Sequence, residues 1–215
     1  VLPSAGTPAY DADGNMTSDG THSYVWDAEN RLAEVLSNGT AIVRNSYDFM
    51  GRRVRKIAGL ATTAFTYDGW NLIREDSGTN RFSYLWGLDL SGSLQGAGGV
   101  GGLVAQTKHV VSGSSTNFNL AFWFTADANG NVAGFVNSAN QVNRYVASYD
   151  PFGNLIGPSL SQAKDFRFRF SSKYCDDETG LYYYGYRFYS PSLGRWINRD
   201  PMEESGSLNL NVAFN

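Results

Sequence analysis

The sequence predicts an all-β, antiparallel fold, and three observations predict it. An aromatic–Asp unit recurs along the chain with its aromatic at positions 26, 47, 67 and 86, a period that fits one short hairpin per repeat. The 215 residues include 24 glycines, 13 tyrosines, 13 phenylalanines and 5 tryptophans, a composition of aromatic strands joined by tight turns rather than of a helical bundle. Phe166, Phe168 and Phe170 alternate with Arg167 and Arg169, the period of two of a half-buried strand.

In chain order, the repeats open with Tyr10-Asp11-Ala12-Asp13-Gly14-Asn15 and continue at Trp26-Asp27, at Tyr47-Asp48-Phe49-Met50-Gly51-Arg52 and at Tyr67-Asp68-Gly69. Degenerate copies follow at Trp86-Gly87-Leu88-Asp89 and at Phe124 to Asn131, and Tyr149-Asp150-Pro151-Phe152-Gly153-Asn154 closes the series. Each unit reads mechanically. The aromatic ends a strand and packs inward, the Asp carboxylate bonds the turn backbone, Gly or Asn takes the left-handed position, and an apolar residue starts the next strand. Asn38-Gly39 is a separate two-residue hairpin signal. Gln95 to Gly102 reads as a flexible loop, Ser159 to Asp165 as a helical turn, and Leu181 to Tyr189 as a second aromatic strand. That last strand is reached through the turn at Asp176-Asp177-Glu178-Thr179-Gly180.

Most reactive chemistry is hard to find. Charged residues make up 17% and the net charge is −3, which argues against a dedicated nucleic-acid binder. The lone Cys175 with His22 and His109 offers no zinc spacing, and neither metal nor cofactor is expected. No apolar run approaches the ~18 residues of a membrane span. Val1-Leu2-Pro3-Ser4 carries no export pattern and no initiator Met, so the chain reads as a fragment. The glycine run lacks the Lys-Ser or Lys-Thr of a phosphate cradle. Asp11-Asp13-Asn15 and Asp127-Asn129-Asn131 start like calcium loops, but glycine falls at the fourth position and no Glu at the twelfth. Hairpin turns explain them better.

The tandem Tyr–Asp units, then Tyr149 to Asn154, Arg169-Phe170-Ser171-Ser172-Lys173-Tyr174, and Thr179 to Pro191 with Gly194-Arg195-Trp196-Ile197-Asn198-Arg199-Asp200-Pro201, resemble the bacterial Rhs (YD-repeat) family. The last stretch resembles its C-terminal Rhs repeat-associated core. The resemblance divides the chain into a YD-repeat region, 1–148, and a core region, 149–215. It implies hairpins winding into part of a spiralling β-sheet shell, with the core as a plug. The structural repeat positions are Tyr10, Asp11, Gly14, Trp26, Asp27, Tyr47, Asp48, Gly51, Tyr67, Asp68, Tyr149, Asp150 and Gly153.

The same resemblance implies a non-catalytic scaffold for a C-terminal toxin cargo, secreted or on the cell surface, with other YD-repeat segments or further copies as partners. The family's self-cleavage resembles aspartyl-protease chemistry, in which two carboxylates share the acid and base roles. Arg187 matches its supporting arginine and Asp200 its first carboxylate; the downstream Asp-Pro-x-Gly that carries the second is missing. The two residues are therefore vestigial candidates, Asp200 being alternatively a turn-capping side chain, and no proteolysis is expected. The alternative function is an adhesive or glycan-binding repeat protein, which would show a row of exposed aromatics. A truncated spiral would pair its open edges with another copy and bury Tyr10, Trp26, Tyr47 and Tyr67 in that assembly.

Overall fold

The structure, a computed structural model, describes residues 7–78, 80–112, 115–138, 143–157 and 166–200. It is antiparallel β throughout, with one 3-10 turn at Phe170–Ser172 and no α-helix among the described residues. The helical turn expected over 159–165 lies outside them.

The strands are β1 (Ala9–Tyr10), β2 (Met16–Ser18), β3 (His22–Trp26), β4 (Leu32–Ser37), β5 (Thr40–Tyr47) and β6 (Arg53–Ala58). Then come β7 (Ala61–Asp68), β8 (Asn71–Ser77), β9 (Asn80–Trp86), β10 (Leu103–Ser112), β11 (Ser115–Ala126), β12 (Val132–Asn137) and β13 (Asn143–Val146). Short strands close the chain: β14 (Tyr174–Cys175), β15 (Tyr182–Tyr183), β16 (Phe188–Ser190) and β17 (Arg195–Trp196). The chain forms two compact units, 1–61 with 178–215, and 62–177. In each, successive hairpin strands pair in chain order. Because strands alternate in direction, all the repeat Asp turns of a unit stand at one end of its strands.

The period of two breaks at one fixed place. Across each repeat turn the residue before Asp pairs with the first residue of the next strand, and the second residue is then skipped. Tyr10 pairs with Met16 and Ala9 with Ser18; Trp26 with Leu32 and Val25 with Glu34; Tyr47 with Arg53 and Ser46 with Arg55. Ala126 with Val132 repeats the pattern, and Tyr67 pairs with Leu72, the second residue of β8, with Ile73 skipped in the same way. The extra residue is a β-bulge, which bends the strand and increases its twist. It explains why the core-facing residues of these strands lie three apart: Leu32 and Val35, Arg53 and Lys56, Leu72 and Glu75, Val132 and Phe135 are all buried.

In the unit of residues 62–177 the core is aromatic. Phe135 stacks on Phe166 at 3.6 Å between ring centroids, and Phe122 meets both edge-on. Phe168 packs edge-on against Tyr84, Trp86 and Tyr174. The expected strand at 166–170 is reduced to one bridge, Phe168 with Tyr174, although its three Phe rings are buried as the alternation required. Arg169 is buried too, held by Asp177 at 2.7 Å and by the Cys175 sulfur at 3.3 Å. In the other unit the expected single strand over 181–189 is two strands. Gly185, at φ 92°, and a Tyr184 N–H bond to the Arg187 carbonyl turn β15 back onto β16.

Candidate functional site

The repeat turn is a six-residue device seen five times. Asp11, Asp27, Asp48, Asp127 and Asp150 each accept, on one carboxylate oxygen, the N–H groups two and four residues on. Gly14, Asn30, Gly51, Gly130 and Gly153 hold the left-handed position, as the spacing required. At Asp27 and Asp48 partial burial works to raise the pKa, but the N–H groups and the guanidiniums of Arg31 and Arg52 outweigh it and bring each below the usual value. At Asp150 the Asn154 amide and the turn N–H groups do the same. The oxygens that made Asp11 and Asp127 look like calcium ligands are thus spent on turn N–H groups.

Two repeats depart from this form. Asp68 pairs directly with Asn71, a two-residue hairpin with Gly69 left-handed. Asp89 keeps the turn, with its N–H bonded to Ser93, and adds a second duty. One of its oxygens accepts the Ser91 hydroxyl and N–H, the other the N–H groups of Ala97 and Gly99. The Ser91 hydroxyl and these N–H groups hold the Asp89 carboxyl down to about 2. The glycine run is therefore stapled to Asp89 rather than loose, and Lys173 donates to the Gly98 carbonyl from the far side.

The sequence led us to expect repeat aromatics that pack inward; Trp86, Phe124 and Tyr149 do lie against the core rings, but the first four stay at its rim. Tyr10 is 37% exposed, and Trp26, Tyr47 and Tyr67 are half-buried. Their polar ends reach back to the preceding hairpin: the Trp26 indole to the Met16 carbonyl (2.8 Å), the Tyr47 hydroxyl to Leu32 (2.8 Å), the Trp86 indole to Leu72 (2.7 Å) and the Tyr149 hydroxyl to Val132 (2.8 Å). Each acceptor is the residue that pairs, across the previous repeat turn, with the residue before its Asp. An aromatic with a polar tip stitches hairpin to hairpin there, which phenylalanine would not do.

The fifth turn residue sorts the turns. Arg31 and Arg52 close the second Asp oxygen with Nε at 2.8 Å. Asn15, Asn131 and Asn154 close it with their amide nitrogen. In both units an Asn turn then takes the C-terminal part of that unit in the same bracket of two bonds. Met16 N–H donates to the Ile197 carbonyl (2.7 Å) while Arg199 N–H donates to Asn15 Oδ1 (3.3 Å). Val132 N–H donates to the Arg169 carbonyl (3.0 Å) while Ser171 N–H donates to Asn131 Oδ1 (2.8 Å).

Arg187 and Asp200, which the resemblance singled out, are brought together on either side of the turn at 190–194. β16 pairs with β17, and Arg187 Nη1 lies 2.7 Å from Asp200 Oδ2. The guanidinium also sits 4.1 Å over the Trp196 ring. Burial lowers the Arg187 pKa, against the pull of Asp200. Asn198, which the sequence did not single out, fixes this geometry by accepting from Phe188 N–H and donating to the Tyr186 carbonyl. Beside Asp200 lies a groove of about 320 Å³ bounded by residues 29–31 and 49–51 of two turns, by Tyr186 and by residues 198–200. Its other carboxylate, Glu29, is paired with Arg31 at 2.7 Å.

Sequence reasoning also missed Glu75. It is buried and accepts the hydroxyls of Tyr84 (2.9 Å) and Tyr174 (3.0 Å), with burial and then the Glu75 charge pushing the Tyr84 pKa well up. Cys175 is buried, and burial pushes its thiol up to about 11, so it stays protonated and inert.

No family model matches the chain. It is 30% identical over 199 residues to the tRNA3(Ser)-specific nuclease WapA of Bacillus spizizenii, covering 90% of this chain and 8% of that protein. It is 27% identical over 222 residues to double-stranded DNA deaminase toxin A of Burkholderia cenocepacia, covering 94% of this chain and 15% of the relative. The chain thus spans under a fifth of the length of either. Among solved structures it resembles the TcdB2-TccC3 complex without its hypervariable C-terminal region, with TM-score 0.71 and 23% identity over 94% of this chain and 10% of that one. A Tc holotoxin pore of Photorhabdus luminescens gives TM-score 0.72 at 22% identity, again over 94% of this chain and 10% of that one. The all-β fold of hairpin repeats is shared with these structures.

Proposed function

We propose that the chain is a non-catalytic structural segment of an Rhs-type, toxin-associated repeat protein, its hairpins forming part of a shell that encloses or presents a C-terminal cargo. The bracket that recurs in both units carries this reading: the repeat turns spend their chemistry on holding backbone. The likeness to toxins over a small fraction of their length, and to TccC3-containing structures, supports it. The partners are then further YD-repeat segments and the cargo, and the site of action is secreted or at the cell surface. Asp200 serves as the ion-pair partner of Arg187 rather than as half of a proton-sharing carboxylate pair.

The test is protease protection of the full-length protein. The cargo is expected to resist digestion until the repeats are unfolded. Digestion at the rate of the free cargo would overturn the shell. A fall in intact mass of this chain on standing would overturn the non-catalytic assignment. A second reading, adhesion through stacking on sugar rings, is favoured by one observation: Trp123 is 50% exposed in the middle of a strand. Glycan-array binding abolished by Trp123→Ala would replace the first reading with this one.

A further inference from the structure

The connection between β9 and β10, residues 87–102, presents three leucines to solvent. Leu88 is 64% exposed, Leu90 57% and Leu94 59%. A single exposed leucine is ordinary; three within residues 88–94 of one fixed loop are not. The backbone is held around each of them. Gly87 N–H donates to the Gly102 carbonyl (2.8 Å) and Asp89 N–H to the Ser93 carbonyl (2.7 Å), on either side of Leu88. Leu90 N–H donates to the Val100 carbonyl (3.0 Å), and the Leu94 carbonyl accepts the Asn71 side-chain amide (3.2 Å). Gln95 ties the loop to the turn between β7 and β8, accepting Trp70 N–H and donating to the Asp68 carbonyl, both at 2.9 Å. Gly101 leaves Leu90 its place: a Cβ there would sit 3.2 Å from two Leu90 side-chain carbons.

The same loop offers no charge. Asp89 is the one charged residue of 87–102, and it is buried with both oxygens taken by the Ser91 hydroxyl and by loop N–H groups. A charged group set against this surface would lose water and gain no counter-charge, so the face that fits it is apolar and uncharged. A loop already fixed by its own hydrogen bonds also loses little conformational freedom on docking. Its place narrows the partner further. It joins two strands at the end where the repeat Asp turns stand, so the leucines belong to the rim of the hairpin strip. An enclosed cargo meets a face of the sheet, whereas a further strip of hairpins meets a rim.

We propose that loop 87–102 is a preformed docking surface, with Leu88, Leu90 and Leu94 seated against an apolar, uncharged face of a further YD-repeat segment of the full-length protein. The proposal rests on the shell reading and names the surface by which one strip of the shell meets the next. Asp89 and Gln95 shape the loop, and the leucines make the contact.

The test is photo-cross-linking in the full-length protein, with a diazirine analogue of leucine at position 90 or 94 and peptide mapping of the products. The expected product joins the loop to a YD-repeat segment of the same molecule outside residues 1–215. Replacing Leu88, Leu90 and Leu94 together by Ser is expected to speed amide exchange in that segment at least about tenfold, while the Asp89-bonded amides of Ser91, Ala97 and Gly99 keep their protection. Cross-links only to solvent, to the cargo or to a second copy would overturn the proposal, as would unchanged exchange in the triple Ser variant. Protease protection of the cargo in the same sample separates the two failures. A protected cargo without the cross-link sinks the docking surface alone; an unprotected cargo without it sinks the shell reading as well.

Discussion

The Asp48 turn and the Asp127 turn have the same backbone and opposite surroundings. In the first, Arg52 closes the carboxylate, and the tip residues Phe49 and Met50 stand exposed. In the second, Asn131 closes it, is itself buried, and passes its free oxygen to the Ser171 N–H. Gly130 lies under the glycine run so closely that an added Cβ would sit 2.5 Å from Val100 Cγ1 and 2.8 Å from Gly101 N. At Gly51 the same Cβ would meet only Tyr186, at 3.6 Å. One local motif thus makes either a rim or a docking point, and a single side chain, the fifth, goes with the difference. Arg is long and keeps a solvated charge; Asn is short, neutral, and has an acceptor left over once its nitrogen is used.

The largest expected break in this comparison is at the glycines. Gly130→Ala adds a clash to a left-handed backbone and is expected to cost about 3 kcal/mol. Gly51→Ala carries the backbone penalty alone, about 1–2 kcal/mol. Urea unfolding of the two variants checks the ratio, and equal losses would mean that the packing over Gly130 is not tight. Next comes the fifth residue. Asn131→Ala removes bonds to Asp127 and Ser171 and is expected to cost about 2 kcal/mol. Arg52→Ala removes a partly exposed ion pair and is expected to cost under about 1 kcal/mol, less in high salt. Measuring both with and without salt sharpens the contrast, because only the Arg52 loss is expected to shrink.

The smallest effect per turn is that of acid. Asp27, Asp48 and Asp150 have folded pKa values below the ordinary 3.8, and Asp89 about 2. A carboxylate depressed by folding adds stability above its unfolded value and loses it as pH falls through its folded one. Stability is therefore expected to be flat in these groups above pH 5 and to drop between about 4 and 2. Circular dichroism melts across that range check the sign. Stability that rises on acidification would contradict the turn assignment.

Much of the turn was legible because its chemistry is local. Asp followed three residues later by Gly or Asn is enough to place the carboxylate and the left-handed residue. The bulge was not legible, since it leaves no special residue type: Ala33, Val54 and Ile73 look like any strand residue, and only cross-strand register reveals the skip. Buried Arg53 escaped for a related reason. It is stabilised by the Tyr183 and Phe188 rings, 4.7 and 5.7 Å from its guanidinium carbon, which lie far along the chain. The aromatics of the repeat read as core from their apolar rings, whereas their N–H and O–H groups need the rim, where a carbonyl is offered. At the site, Arg187 and Asp200 were singled out by the family resemblance of the stretches around them, but Asn198 and the groove depend on two repeat turns that no motif links to them.

The repeats hold the C-terminal part of each unit through the fifth-position asparagine. Amide hydrogen exchange over residues 168–175 tests it most directly, comparing Asn131→Ala with Arg52→Ala in the same chain. The account predicts that Asn131→Ala speeds exchange at Ser171 and its neighbours by about tenfold or more while β11 and β12 stay protected, and that Arg52→Ala leaves the segment unchanged. Equal protection of 168–175 in the two variants would contradict it.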